Sequence, residues 1–92
     1  MYKVKQTSRF RKDYKLAYKR GYDLDLLETV VKQLASGASL PGKYKDHPLR
    51  GDWHNHRECH ITADWLLIYK FQEDILVLTL TNTGTHADIF GL

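Results

Sequence analysis

The sequence predicts an α+β fold: an N-terminal strand, then two helices packed on one face of a mostly antiparallel sheet of four to five strands. Three observations predict it. Residues 2–6 alternate in polarity, residues 8–35 carry two amphipathic helical periods, and residues 53–82 fall into strand-length runs rich in β-branched and aromatic side chains. Ninety-two residues suffice for one hydrophobic core, so residues 1–92 are read as a single domain.

In residues 2–6, Tyr2, Val4 and Gln6 share one side of a short strand. Thr7 or Ser8 then caps a helix running to about Arg20, with Phe10, Tyr14, Ala17 and Tyr18 at helical spacing and Gly21 as terminator. Asp23 caps a second helix whose apolar seam is Leu24, Leu27, Val31, Leu34 and Ala35, and Ser36-Gly37 ends it. Leu26 and Val30 make a second apolar flank, either buried by the first helix or left for a partner. Pro41, Gly42, Pro48 and Gly51 mark residues 37–51 as a connecting loop. Strands are expected over residues 53–61, 64–71 and 75–82, the last two apolar on both faces as central strands are. The tail, residues 86–92, adds an edge strand or lies across one end of the sheet.

Composition is that of an ordinary globular chain, 42% apolar and 27% charged. No apolar run reaches membrane-spanning length, and the N-terminus has charges where a secretory signal needs an apolar core. Cys59 is alone, so neither an internal disulfide nor a multi-thiolate zinc site is possible. A cytoplasmic protein without membrane association is expected. The net charge of +3 conceals two unlike halves: residues 1–45 hold eleven Lys/Arg against four Asp/Glu, whereas residues 46–92 hold three against seven. In the first twenty residues, eight bases face the single acid Asp13, a pattern that suits either an anionic partner or an ordinary solvated helix.

Five histidines are many for so short a chain, and four of them fall between residues 47 and 60. Imidazole exchanges protons near neutrality, so such a density points to acid–base chemistry or metal binding. One extended strand from Trp53 to His60 would put His54, His56 and His60 on the same face. The metal reading is nevertheless weak, because no familiar His/Cys zinc spacing is present and Cys59 would point the other way. A tight Thr62-Ala63 turn would bring His60 and Asp64 together across a hairpin, where a carboxylate can orient an imidazole. Asn82-Thr83-Gly84-Thr85-His86 joins small residues to a histidine just after a strand, either a plain turn or a place where free backbone N–H groups meet phosphate oxygens.

Taken together, Tyr44-Lys45-Asp46-His47-Pro48-Leu49, Gly51-Asp52-Trp53, Arg57-Glu58-Cys59-His60-Ile61, Asp64-Trp65-Leu66-Leu67-Ile68-Tyr69-Lys70 and Thr83-Gly84-Thr85-His86 with Phe90-Gly91 closely resemble the YafQ branch of the RelE/ParE toxin superfamily. The blocks occur in that family's order across the whole chain. The resemblance implies a RelE-like fold and the toxin half of a type II toxin–antitoxin system, one that cleaves messenger RNA in the ribosomal A site without a metal ion or other cofactor. It also implies a cognate antitoxin, a small ribbon-helix-helix protein of the DinJ/RelB kind, as a partner beside the ribosome and its mRNA.

By the same resemblance, His86 is the general acid to the leaving 5′ oxygen, His47 or Asp64 the base that takes the ribose 2′-OH proton, and His60 a phosphate contact or orienter. Trp65 and Phe90 match aromatic positions that stack on a base. Lys43, Lys45 and the basic first helix would meet RNA phosphates. Where the family commonly has an arginine before Thr-Gly-Thr-His, this chain has Asn82, which can donate a hydrogen bond but brings no charge, so either a nearby cation such as Arg57 or Arg50 compensates or the rate is lower. The competing reading is a non-catalytic toxin of the ParE kind that acts by binding a protein such as a topoisomerase. A pure binder has no use for His47, His60, Asp64 and His86 together, which favours the nuclease. A basic nucleic-acid-binding module with incidental histidines is the remaining alternative.

Overall fold

The structure is a computed structural model that describes residues 1–91 of the 92-residue chain. Strand β1 (Lys3–Gln6) leads into helices α1 (Ser8–Lys19) and α2 (Leu24–Ala35), followed by β2 (His47–Pro48), β3 (Arg57–Thr62), β4 (Trp65–Gln72), β5 (Val77–Gly84) and the short helix α3 (His86–Phe90). The five strands form one sheet in the order β1-β5-β4-β3-β2, antiparallel except where β1 runs parallel to β5. The expected α+β architecture is therefore present, with the sheet at five strands.

The caps are those the sequence offers. Thr7 Oγ1 accepts the Phe10 N–H at the start of α1, and Asp23 accepts the Asp25 N–H at the start of α2. Gly21, at φ +77°, turns the chain between the two helices in a conformation that costs glycine little. Phe10 and Ala17 of α1 and Leu27, Val30 and Leu34 of α2 are buried against Cys59, Ile61, Trp65, Leu67, Tyr69, Leu78 and Leu80 of the sheet. Both helices thus cover one face. Val30 is fully buried while Leu26 stays 44% exposed, so the second apolar flank of α2 is split between core and surface. Tyr18 is 71% exposed and lies outside the core that its spacing suggested. Burial pushes the Cys59 thiol up to about 12, which leaves it an inert core residue.

Three expected boundaries shift. The strand proposed over residues 53–61 begins only at Arg57, because Gly51–Trp53 forms a 3₁₀ turn and Asn55 takes φ +68°. His54 and His56 therefore do not share a strand face with His60. The tail folds as α3 rather than as an edge strand, and Leu92 lies outside the described residues. The loop over residues 37–51 contains a 3₁₀ turn at Gly42–Tyr44 and the two-residue edge strand β2.

The pleat sends Trp65, Leu67 and Tyr69 into the helical core and the alternate residues Leu66 and Ile68, both fully buried, to the other face. The β4–β5 register slips between Ile68 and Tyr69, which pair with Asn82 and Leu80, so Thr81 is the extra residue of a bulge. That single insertion reverses the parity of β5. Leu78 and Leu80 face the helices, yet beyond the bulge it is Thr83 that does so and Asn82 that turns to the opposite face. Among the described residues no helix is long and apolar enough to cross a membrane.

Candidate active site

The face turned away from α1 and α2 gathers the polar side chains. His47, the first residue of β2, pairs in register with Glu58, and Glu58 pairs in turn with Ile68, whose other neighbour is Asn82. His60, two residues after Glu58, shares its face. The Glu58 carboxylate is 6% exposed and one of its oxygens, Oε1, receives both imidazoles: His60 Nε2–H donates at 3.1 Å, and His47 Nε2 stands 3.5 Å away. His47 Nδ1 lies 3.2 Å from its own strand's Pro48 carbonyl, and with Nδ1–H donating there Nε2, which makes no hydrogen bond to Glu58, is the nitrogen able to take a proton. A buried carboxylate needs such partners, and in return it fixes both rings.

The third histidine of the set arrives from the far end of the chain. Thr85 caps α3 through a capping box with Asp88, which places His86 on the first turn. Asp64, in the turn between β3 and β4, accepts the His86 backbone N–H at 3.0 Å and the ring Nδ1–H at 2.7 Å through the same Oδ1. These donors hold the Asp64 carboxyl below the usual carboxylate range. An ionised carboxylate can only accept, so the tautomer is set: Nδ1 of His86 carries a proton and Nε2 is left for substrate. The His60 and His86 rings lie 5.7 Å apart, which joins the two clusters into one. Phe90, one helical turn after His86, stands 6.4 Å from its ring and edge-on to Trp53 at 5.8 Å.

Of the residues singled out by sequence, His47, His60, Asp64, His86, Phe90 and Asn82 are thus drawn to one face. Asp64, however, is bonded to His86 rather than to His60 across the hairpin, because the turn residues are Ala63 and Asp64 and the carboxylate projects beyond the strand end. Lys43 and Lys45 flank a groove of about 440 Å³ that also reaches His60, so they border the site.

Two assignments are corrected. Trp65 is 3% exposed, packs on Tyr22 at 4.8 Å and donates its indole N–H to Thr83 Oγ1, which leaves its ring no face for a base. Arg57 lies on the helical side of β3, where its guanidinium is bound to Asp46 at 3.0 Å while the Tyr69 hydroxyl donates to the same carboxylate. It cannot supply the charge that Asn82 lacks. That leaves Arg50, exposed at the start of the turn bearing Trp53.

Glu58 and Trp53 escaped the sequence reading. The signal for Glu58 was the period-two relation to His60 on one strand; for Trp53 there was none, since its contact with Phe90 spans 37 residues of chain. His47, Glu58 and His60 also bring three ligand-type atoms within 4.8 Å of one another, a two-imidazole, one-carboxylate set of the kind that could hold a zinc-like ion. It is not the His54/His56/His60 set considered from sequence.

The family model for the bacterial toxin of type II toxin–antitoxin systems, YafQ, matches residues 2–91. The chain belongs to the YafQ toxin family. The YafQ relative from Escherichia coli strain K12, an mRNA interferase toxin, is 40% identical over 89 residues, covering 96% of this chain and 95% of that protein. Among solved YafQ-like structures, that of the E. coli DinJ–YafQ complex superposes with a TM-score of 0.90 at 39% identity, covering 99% of this chain and 100% of the other. A metal-bound toxin from Helicobacter pylori superposes with a TM-score of 0.93 at 41% identity, covering 98% and 100%.

Proposed function

We propose that the protein is a ribosome-dependent mRNA interferase that cleaves by attack of a ribose 2′-OH on its own phosphate. The observation that carries this reading is the presentation of His86: Asp64 holds Nδ1, which leaves Nε2 for substrate, and the His60 ring lies 5.7 Å away in contact with the Glu58–His47 pair. His47 takes the 2′-OH proton. The new bond from the 2′ oxygen to phosphorus forms as the bond to the 5′ oxygen breaks, and the departing oxygen receives the Nε2 proton of His86, which enters the step as imidazolium and leaves it as the neutral Nδ1–H ring. His60 contacts the phosphate between them, with Lys43 and Lys45 contributing charge from the adjoining groove.

The two N–H donors on Asp64 favour His47 over it as the base. A carboxylate already stabilised by two N–H donors is a poor proton acceptor, so Asp64 orients His86 and His47 is the base. Phe90 offers its ring to a base of the message.

Similarity to the E. coli toxin crystallised with DinJ supports a cognate antitoxin as partner, one whose acidic or apolar segment would lie on the basic α1 with its exposed Leu16 and Tyr18, and on Leu26 of α2. Action on ribosomes places the protein in the cytoplasm. His86→Ala expressed without antitoxin should fold and fail to arrest growth, with cleavage of ribosome-bound mRNA reduced about 10²- to 10⁴-fold. A variant that is still toxic removes His86 from the mechanism.

A further inference from the structure

The first two turns and the last turn of α1 are richly basic, and most of these bases point to solvent. Arg20 does not. At the C-terminal cap of α1 it reaches across to α3, where its guanidinium binds Asp88 through Nη1 at 2.5 Å and Nη2 at 3.1 Å. The lone acid of α1, Asp13, is committed to the same region: its Oδ2 accepts the Thr83 N–H at 3.1 Å, while Oδ1 pairs with Arg9 at 3.0 Å. The chain from residue 83 to 88 is therefore hung between two side chains of α1, and His86 is inside that span.

Asp88 links the two ends. Its Oδ2, the oxygen that Arg20 binds, also accepts the Thr85 N–H at 3.0 Å, and its own N–H donates to Thr85 Oγ1 at 3.1 Å. The seat is tight: a Cβ on Gly84 would lie 3.0 Å from Asp88 Cβ and Oδ2, and Gly84 takes φ +154°. Asp64 holds His86 at the start of α3 and Phe90 packs on Trp53 at its end, while Arg20 holds Asp88 between them. The helix has five residues, none of them buried, and a helix that short has little stability of its own.

We infer that Arg20 is a positioning residue for the reaction assigned to His86: through Asp88 and the α3 cap it fixes the backbone from which the imidazole is presented. Asp64 sets the ring's orientation and holds the His86 N–H, and Arg20 fixes the following turn of α3 through Asp88. The inference rests on the nuclease reading for its kinetic consequence and on geometry alone for its structural one. As a contribution to stability an ion pair at this exposure is worth little. Its effect on rate is larger, because a displacement of about 1 Å at a reacting group can cost up to roughly 10²-fold.

The test compares wild type, Arg20→Ala, Arg20→Lys, Asp88→Asn and the Arg20→Ala/Asp88→Asn double variant. Single-turnover cleavage of ribosome-bound mRNA and ribosome affinity are measured for each, alongside the imidazole NMR resonances of His86 in the free protein. Arg20→Ala should cut the rate about tenfold without changing ribosome affinity and should shift or broaden the His86 resonances. Arg20→Lys should recover part of the rate, and the double variant should be no slower than Arg20→Ala, as expected for two residues acting as a unit. Unaltered His86 resonances in Arg20→Ala overturn the inference, as does additivity in the double variant, or a rate loss matched by lost ribosome affinity, which would make Arg20 an RNA contact. A wild-type protein that leaves mRNA intact refutes the nuclease reading instead, while the resonances still report on Arg20.

Discussion

Two aromatic residues illustrate what a sequence can and cannot reveal about a side chain. Trp65 and Phe90 both sit at positions the resemblance assigned to base stacking, yet one fills the core and the other stands beside His86. The alternation of Trp65 with Leu67 and Tyr69 contained the warning, since all three face the helices. Arg57 was misread for the same reason: it shares the parity of Cys59 and Ile61, not that of Glu58 and His60. Truncation separates the aromatics. Trp65→Ala should cost about 3 to 5 kcal/mol in chemical denaturation, because it leaves a cavity and removes the buried indole N–H that Thr83 Oγ1 accepts. Phe90→Ala should change stability by about 1 kcal/mol and lower cleavage of ribosome-bound mRNA about tenfold or more, as the loss of one stacked base predicts. A stable Trp65→Ala protein would contradict the corrected assignment.

Elements with long, regular periods were legible and irregular ones were not. The two 12-residue helices, their caps and the two long strands follow from spacing that needs no tertiary information. The bulge at Thr81 has no such signature, although it decides that Asn82 faces the site and Thr83 the core. Helix α3 is shorter than two turns, too brief for a hydrophobic period to register, and its start is marked only by the Thr85/Asp88 capping box. That box carries a pH dependence. Arg20 first, and then the Thr85 N–H, hold the Asp88 carboxyl well below its ordinary value. A folded carboxyl that titrates below its unfolded value of about 3.9 contributes stability that is complete above that pH and fades as the pH falls further. The gap in melting temperature between wild type and Asp88→Asn should accordingly stay constant from pH 5 to 7 and close in more acidic solution. A gap that widens on acidification would mean that the carboxylate is not stabilised by folding.

At the scale of the molecule, the sheet separates support from chemistry. One face is covered by the helices and built from apolar side chains. The other presents the two-imidazole cluster on Glu58 and the Asp64–His86 pair, drawn from β2, β3, the β3–β4 turn and α3. Histidines that are 13 and 26 residues apart in the chain meet because β2, β3 and β4 are neighbours in the sheet and α3 follows β5 back over its end. No local pattern encodes that convergence, which is why the sequence suggested the members of the site through resemblance while their partners, Glu58 for His60 and Asp64 for His86, emerged only from the fold.

On the proposed reading these groups converge to transfer protons during attack of a 2′-OH on its own phosphate, and the ends of the cleaved RNA record it. Mass spectrometry of ribosome-bound mRNA cut by the purified protein should find a 2′,3′-cyclic phosphate, or the monophosphate formed on its opening, on the upstream fragment and a 5′-hydroxyl on the downstream one. A 3′-hydroxyl opposite a 5′-phosphate would show that water, not the ribose, attacks, and would contradict the mechanism assigned to His47 and His86.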